Sequence, residues 1–372
     1  MALPASLLLA LLAGATPAFA QKLELDLDAD RSGRPAWAPE RPGRLELPPE
    51  SRQFDFWVGG WDVNLRIQQP DLSWKDSVKA EARIYPILFG KAVLELWDSP
   101  HIKGYSLRYY DTKRKEWVLW LNWPGQDRSG SSSLSGSFRH GRGDFQSVSE
   151  RADGTKSISR YSFNDITPNS LRWDDAYSED GGKTWRNQWI MEFTRKEAVP
   201  TLDPAGGRAH TYVDGSRATL PQFAHSSFLK GRREGIRCSI NDKVPLPHPV
   251  SWVGYQVLDG SALIGFLRYS DGGHDREVFY HLTWNTYAQR FEATVLDDHP
   301  DTPAVVSYSA AEADSFVALA PPQPDGSQLR FTFREGEGGQ AHLTIESRRD
   351  ATEPWELDEA VLLFANGATT SR

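Results

Sequence analysis

Cysteine is nearly missing from this 372-residue chain: Cys238 stands alone, so no disulfide can form within the molecule and its stability must come from packing. A long apolar run is also missing after residue 20, so no segment approaches the roughly 18 residues that a membrane-spanning helix needs. There is no basic excess, since 42 Lys and Arg face 50 Asp and Glu for a net charge of −8, which argues against a general nucleic-acid surface. No Gly-x-Ser-x-Gly elbow, phosphate-cradling glycine loop or dinucleotide fingerprint occurs, so no nucleophile motif and no cofactor is expected. Among nine histidines the nearest approach to a metal set is His274-Asp275-x-Glu277-x-x-x-His281. In a strand only Glu277 and His281 would share a face, one ligand short of a site, so no metal is expected. Helical three-to-four spacing is absent as well, and that leaves strands.

What is present begins with a leader. The first twenty residues carry no charged side chain, pass through Leu7-Leu8-Leu9-Ala10-Leu11-Leu12 and end Ala18-Phe19-Ala20, the pattern of a cleaved secretory signal. The expectation is a protein exported across the inner membrane to the periplasm. Residues 21–50, rich in Pro, Arg and Asp, read as an extended arm. Strand-like alternation follows, for example in Trp117-Val118-Leu119-Trp120-Leu121-Asn122-Trp123 and Ser157-Ile158-Ser159-Arg160-Tyr161-Ser162-Phe163. Cys238 falls in such a strand and reads as a small buried hydrophobe. The serine run from Ser129 to Ser137 reads as a mobile loop at a barrel mouth.

Two halves repeat one another. Leu88-Phe89-Gly90 through Leu94 echoes Leu258-Asp259-Gly260 through Ile264 at an offset of 170 (258 − 88), and Trp185 returns as Trp355 at the same offset. Tyr110-Asp111-Thr112 with Trp117 echoes Trp284-Asn285-Thr286 with Phe291 at 174 (291 − 117). The expected organisation is therefore all-β: signal peptide 1–20, arm 21–50, a first antiparallel barrel over 51–196, a linker over 197–220, a second, diverged barrel over 221–366 and a tail over 367–372. Each half holds eight to ten candidate strands, and closure is favoured because an open sheet would expose long edges that little Lys or Pro protects.

The segment Phe54-Asp55-Phe56-Trp57-Val58-Gly59-Gly60-Trp61-Asp62-Val63 resembles the opening of an uncharacterised bacterial lipocalin-like, calycin-type family with an FDFW-x-G-x-WDV signature. Gly104 to Asp111, Trp117-x-x-Trp120 and Ser178-Glu179-Asp180-Gly181-Gly182-Lys183-Thr184-Trp185 extend the resemblance to about residue 195. It implies tandem lipocalin-like barrels with an internal cavity and no established chemistry. The second half departs from it, reading Gly231-Arg232-Arg233 where Gly60-Trp61-Asp62 would recur. The Ser-x-Asp-x-Gly-x-Thr-Trp box also occurs in sialidase-like propellers, but a propeller needs it in every blade and here one good copy exists.

Fourteen Trp, 12 Tyr and 17 Phe exceed what two small cores require, so some are expected to line a cavity. The mixed face of the Trp117 strand, with Val118, Trp120 and Asn122, is expected to look inward, and Arg108 and Arg172 are candidate inward charges. Trp120, Asn122, Arg108, Arg172 and Trp61 form the candidate ligand set, with Trp61 also readable as a plug across the barrel base. The leading expectation is binding of a small hydrophobic or amphipathic molecule. Two alternatives stand beside it: a cofactor-free lyase, isomerase or hydratase using Glu81, Glu95 or Asp175 as acid or base, and a ligand-free interaction module.

Overall fold

The structure, a computed structural model, describes residues 47–100, 103–124, 132–150, 152–197, 226, 228–240, 247–312 and 315–364. The residues expected to form the leader and the tail, nearly all of those of the expected arm and most of those of the expected linker lie outside the described residues.

Ten antiparallel strands make a first closed barrel: β1 Gly59–Gln68, β2 Trp74–Ile87, β3 Ala92–Asp98, β4 Lys103–Asp111, β5 Glu116–Asn122, β6 Ser132–Arg139, β7 Arg142–Glu150, β8 Lys156–Asn164, β9 Ser170–Ser178 and β10 Arg186–Glu197. Ten more make a second: β11 Gly231–Ser239, β12 His248–Val257, β13 Ala262–Asp271, β14 His274–Asn285, β15 Arg290–Asp297, β16 Val305–Glu312, β17 Ser315–Leu319, β18 Gln328–Glu335, β19 Ala341–Arg348 and β20 Glu356–Leu363. Each is an up-and-down meander whose last strand pairs with its first, as in Val63 opposite Phe193 and Arg237 opposite Val361. Closure leaves no strand at an edge among the described residues. From Ser132 the serine run is strand, not loop, because Leu134 and Phe138 alternate towards the core and the backbone pairs with β5 and β7.

The duplication is written into backbone geometry. Leu88 and Leu258 both adopt positive φ, 54° and 53°, in matching single turns that enter β3 and β13. Arg160 covers Trp185 at 4.2 Å, and Arg330 covers Trp355 at 4.6 Å, again 170 positions on. The offset changes from 170 to 174 at one hairpin. In β3–β4 the pair Asp98–Lys103 spans five residues, whereas its counterpart in β13–β14, Arg268–Glu277, spans nine. The second hairpin is four residues longer, and the charges of the pair are exchanged: Lys103 bonds Asp98 in one repeat, and Arg268 Nε bonds Glu277 at 2.6 Å in the other.

At the base of the first barrel, residues 49–57 cross in two short turns and insert Phe54 and Trp57 among Trp117, Phe138, Phe145 and Phe163. Arg195 locks this segment by donating to the carbonyls of Phe56 and Val58, while its guanidinium lies 4.1 Å over Trp61.

The barrels pack against each other through β2–β5 and β12–β15, which explains why β3 is buried along its whole length on both faces. Matching residues meet across this joint. Tyr105 and Phe279, equivalent at offset 174, stack at 6.3 Å, and Tyr85, Leu88, Ala92 and Leu94 share one apolar cluster with Tyr255, Leu258, Ala262 and Ile264. The arrangement is that of an isologous dimer interface made within one chain. Polar contacts fix its register: Asn122 donates to Glu292, the Leu88 backbone donates to Glu277, and buried Lys91 donates to the carbonyls of Asp297, His299 and Thr302.

Candidate functional site

The lumen of the first barrel is lined by the face of β5 that carries Trp117, Leu119, Leu121 and Trp123. The expectation that the other face looks inward is overturned. Val118 and Trp120 pack into the joint between barrels, and Asn122 reaches across it to Glu292. The mixed polarity of that face reflects a polar contact with the second barrel and not a ligand. Arg172 also faces outward, half-exposed and paired with Asp174 at 2.8 Å, and Glu81 pairs with Lys196 at 2.6 Å on the outer surface. Trp61 is fully buried at the base, donating from Nε1 to the Trp57 carbonyl at 2.8 Å.

Alternation along β3, β4 and β9 instead brings Glu95, Ser106, Arg108 and Asp175 to the lumen side. Ser106 donates to Glu95 at 2.7 Å and Arg108 Nη2 lies 3.3 Å from the same oxygen. Burial pushes the Glu95 carboxyl upward, opposed by Arg108 and Ser106; burial also draws Arg108 down to about 10, opposed by Glu95. The Arg108 guanidinium is sandwiched among rings, 3.7 Å from the Trp57 centroid and 5.1 Å from that of Phe163. Asp175 lies further along β9, opposite Tyr161 and Trp189, with no hydrogen bond or ion pair among the described residues. Burial alone raises its pKa to about 7.

Glu95, Ser106 and Arg108 meet a cavity of ≈ 20 Å³ walled by Trp57, Trp97, Trp123, Trp173 and Met191, enough for about one water molecule. Its walls are rich in hydrogen-bond donors that have no acceptor. Arg108 Nε and Nη1, Trp57 Nε1 and Trp97 Nε1 are all buried without a hydrogen-bond partner among the described residues. Each such group costs about 1–3 kcal/mol unless something accepts from it. Above the cavity, Trp97 and Trp123 meet edge to face at 5.5 Å, and Trp189 closes on Trp123 at 6.4 Å.

The second barrel shows what this lumen looks like without those groups. At the positions equivalent to Glu95, Ser106, Arg108 and Asp175 stand Gly265, Tyr280, Leu282 and Ile345. Trp252 lies against Gly265 so closely that a Cβ there would fall 2.1 Å from its ring, and its indole donates to the Leu229 carbonyl at 2.7 Å. Trp252 thus fills this part of the second lumen, and none of Glu95, Ser106, Arg108 and Asp175 recurs there, although Arg237 and Glu359 pair at 2.7 Å elsewhere in that barrel. Sequence reading missed this contrast although the residues are visible there; aligning the repeats at 170 through β3, at 174 across β4 and β5 and at 170 again in β9 would have exposed it. Trp57, Trp97 and Trp123, counted in the aromatic surplus but left out of the candidate ligand set, are part of the cavity wall. Of the Glu277 and His281 pair, Glu277 is held by Arg268 and the Leu88 backbone, while His281 stacks on Tyr105 at 3.8 Å within the joint.

No protein-family model matches the chain, and no curated protein matches it. Among solved structures, a protein of unknown function from the DUF3598 family of Nostoc punctiforme is 12% identical, with 86% of this chain and 100% of that chain covered and a TM-score of 0.26. The isotype 1 transferrin binding protein B of serogroup B Neisseria meningitidis is 7% identical, with 82% and 76% covered and a TM-score of 0.17.

Proposed function

We propose that the protein is an exported, lipocalin-like carrier or receptor that holds a small, largely apolar molecule in the lumen of its first barrel, with the second barrel as a packed scaffold. One observation carries the reading: buried donors without acceptors face an aromatic-walled cavity in one barrel, while the repeat has Gly265, Tyr280, Leu282 and Ile345 in place of Glu95, Ser106, Arg108 and Asp175. Arg108 lies buried among the rings of this cavity, and the equivalent position in the second barrel is the apolar Leu282. The leader-like first twenty residues support export to the periplasm. Native mass spectrometry of protein secreted into a bacterial periplasm, compared with the same sample denatured, tests the reading. A small molecule released on denaturation is the expected result. A bare mass, together with no binding of any aromatic probe by the intact protein, would overturn it.

Asp175 favours a second reading. A lumen-side carboxyl without an ion pair and with a pKa of about 7 can take or give a proton near neutrality, as cofactor-free isomerisation or hydration requires. In that case Asp175→Asn abolishes turnover of the recovered molecule and leaves its binding unchanged.

A further inference from the structure

Trp123 occupies the place where the lumen could otherwise accept a ring. Its indole rests directly on the backbone of Gly104, where a Cβ would fall 2.2 Å from the ring, and it shares the cavity wall with Trp97, Trp173 and Met191. Unlike the other rings of this wall named so far, Trp57, Trp97 and Trp173, it is only half-buried. Its contacts are edge-to-face aromatic ones, and its own indole nitrogen is not among the buried groups that lack a partner. Swinging it towards solvent therefore breaks few bonds, and leaves a slot of indole shape floored by Gly104. Beneath that slot lie Arg108 Nε and Nη1 and the indole nitrogens of Trp57 and Trp97, four donors and no partnerless acceptor.

The repeat supplies an independent check. Gly104 and Trp123 correspond to Val278 and Asp297 in the second barrel, so the bare backbone and the ring that covers it are lost together. They are lost in the same barrel that has lost Glu95, Ser106, Arg108 and Asp175. Slot, cover and donors thus occur as one set.

We infer that the ligand of the first barrel is a planar aromatic molecule of about two fused rings carrying an oxygen acceptor such as a ketone or carboxylate, and that Trp123 is the side chain it displaces. The inference rests on the lumen being a binding site and adds to it what enters and by which route. The ring of the ligand replaces the indole on Gly104 between Trp97 and Trp173, and its oxygen accepts from Arg108.

The test uses the intact protein and three probes by isothermal titration: 2-acetylnaphthalene, 2-naphthoate and 2-ethylnaphthalene, the last having the shape of the first without its oxygen. Trp123→Ala is expected to bind 2-acetylnaphthalene or 2-naphthoate at least tenfold more tightly than the unaltered protein. In that variant the preferred oxygen-bearing probe is expected to exceed 2-ethylnaphthalene by at least tenfold, because a site built to donate rejects a ligand that leaves its donors unpaired. Which of the two oxygen probes binds better separates a neutral acceptor from an anionic one. Trp123→Leu, which also clears the indole from Gly104 but keeps an apolar side chain, is a second variant expected to move affinity in the same direction should the first fail to fold. Affinity for 2-ethylnaphthalene equal to that for the preferred oxygen-bearing probe overturns the acceptor, and no gain in either variant overturns Trp123 as the displaced group. If the unaltered protein nevertheless releases a small molecule on denaturation, the lumen reading stands and only this inference falls.

Discussion

Acidification offers the sharpest check of the joint between barrels. His281 is fully buried there, stacked at 9° on Tyr105, and neither ring nitrogen has a hydrogen-bond partner among the described residues. Burial draws its pKa from 6.5 down to about 3. A base with a depressed native pKa is neutral when folded and takes up a proton on unfolding, so stability is complete above pH 6.5 and drains away as pH falls towards 3. Between pH 7 and pH 5 the loss from this one group is about 2 kcal/mol, and it scarcely depends on the native value so long as that lies below about 4. His281→Leu is the natural comparison, because Leu107 holds the equivalent place in the first repeat. Urea titrations of both proteins at pH 7 and pH 5 give a double difference in which carboxylates such as Asp298 cancel. A double difference near 2 kcal/mol is expected, with the variant the less acid-sensitive. A value near zero would show that the imidazole has found a partner or sits in water, and would refute the account of a dry joint.

Four other substitutions test separate parts of the structure. Gly265→Ala drives a Cβ into the ring of Trp252, which is 1% exposed and hydrogen-bonded, so urea denaturation should show a loss of about 2 kcal/mol or more. Gly104→Ala creates a similar clash with Trp123, which can turn outward, so it should cost under about 1 kcal/mol and increase acrylamide quenching of tryptophan; equal costs at the two glycines would contradict the difference in burial. Lys91→Met strands three carbonyls and should destabilise by about 3 kcal/mol or more, whereas a loss below about 1 kcal/mol would deny its role in the joint. Asp175 has a raised pKa, so its burden grows as pH rises from 3.8 through about 7. Asp175→Asn should therefore stabilise more at pH 8 than at pH 5, by on the order of 1–2 kcal/mol after discounting its partial exposure, and the reverse order would place the carboxylate in an ion pair.

Alternation and repetition made the strands, their closure and the two-barrel order legible in the sequence, because those features are local or periodic. Facing was not legible for β5. A strand of a single barrel shows one apolar and one polar side, but β5 is pressed between its own lumen and a second barrel, so both its sides are largely apolar and Asn122 looked like a lumen group. Arg172 failed for a related reason: its partner Asp174 is two residues away on the same outer face, a pairing that alternation alone does not reveal. Glu95 and Arg108 were visible as charges in aromatic strands, but the bond between them depends on β3–β4 register. That register follows from the length of a turn that differs between the repeats.

The exchanged charges at that turn bear on how the chain assembles itself. Two similar barrels made from one polypeptide invite strands of one to be claimed by the other, a common error of tandem repeats. Pairing β3 with β14 in the native alignment would set Asp98 opposite Glu277, and pairing β13 with β4 would set Arg268 opposite Lys103. Each hybrid hairpin would bring like charges face to face, while each correct one brings opposites together. The ion pair that closes each hairpin thus also marks which half of the chain its strands belong to.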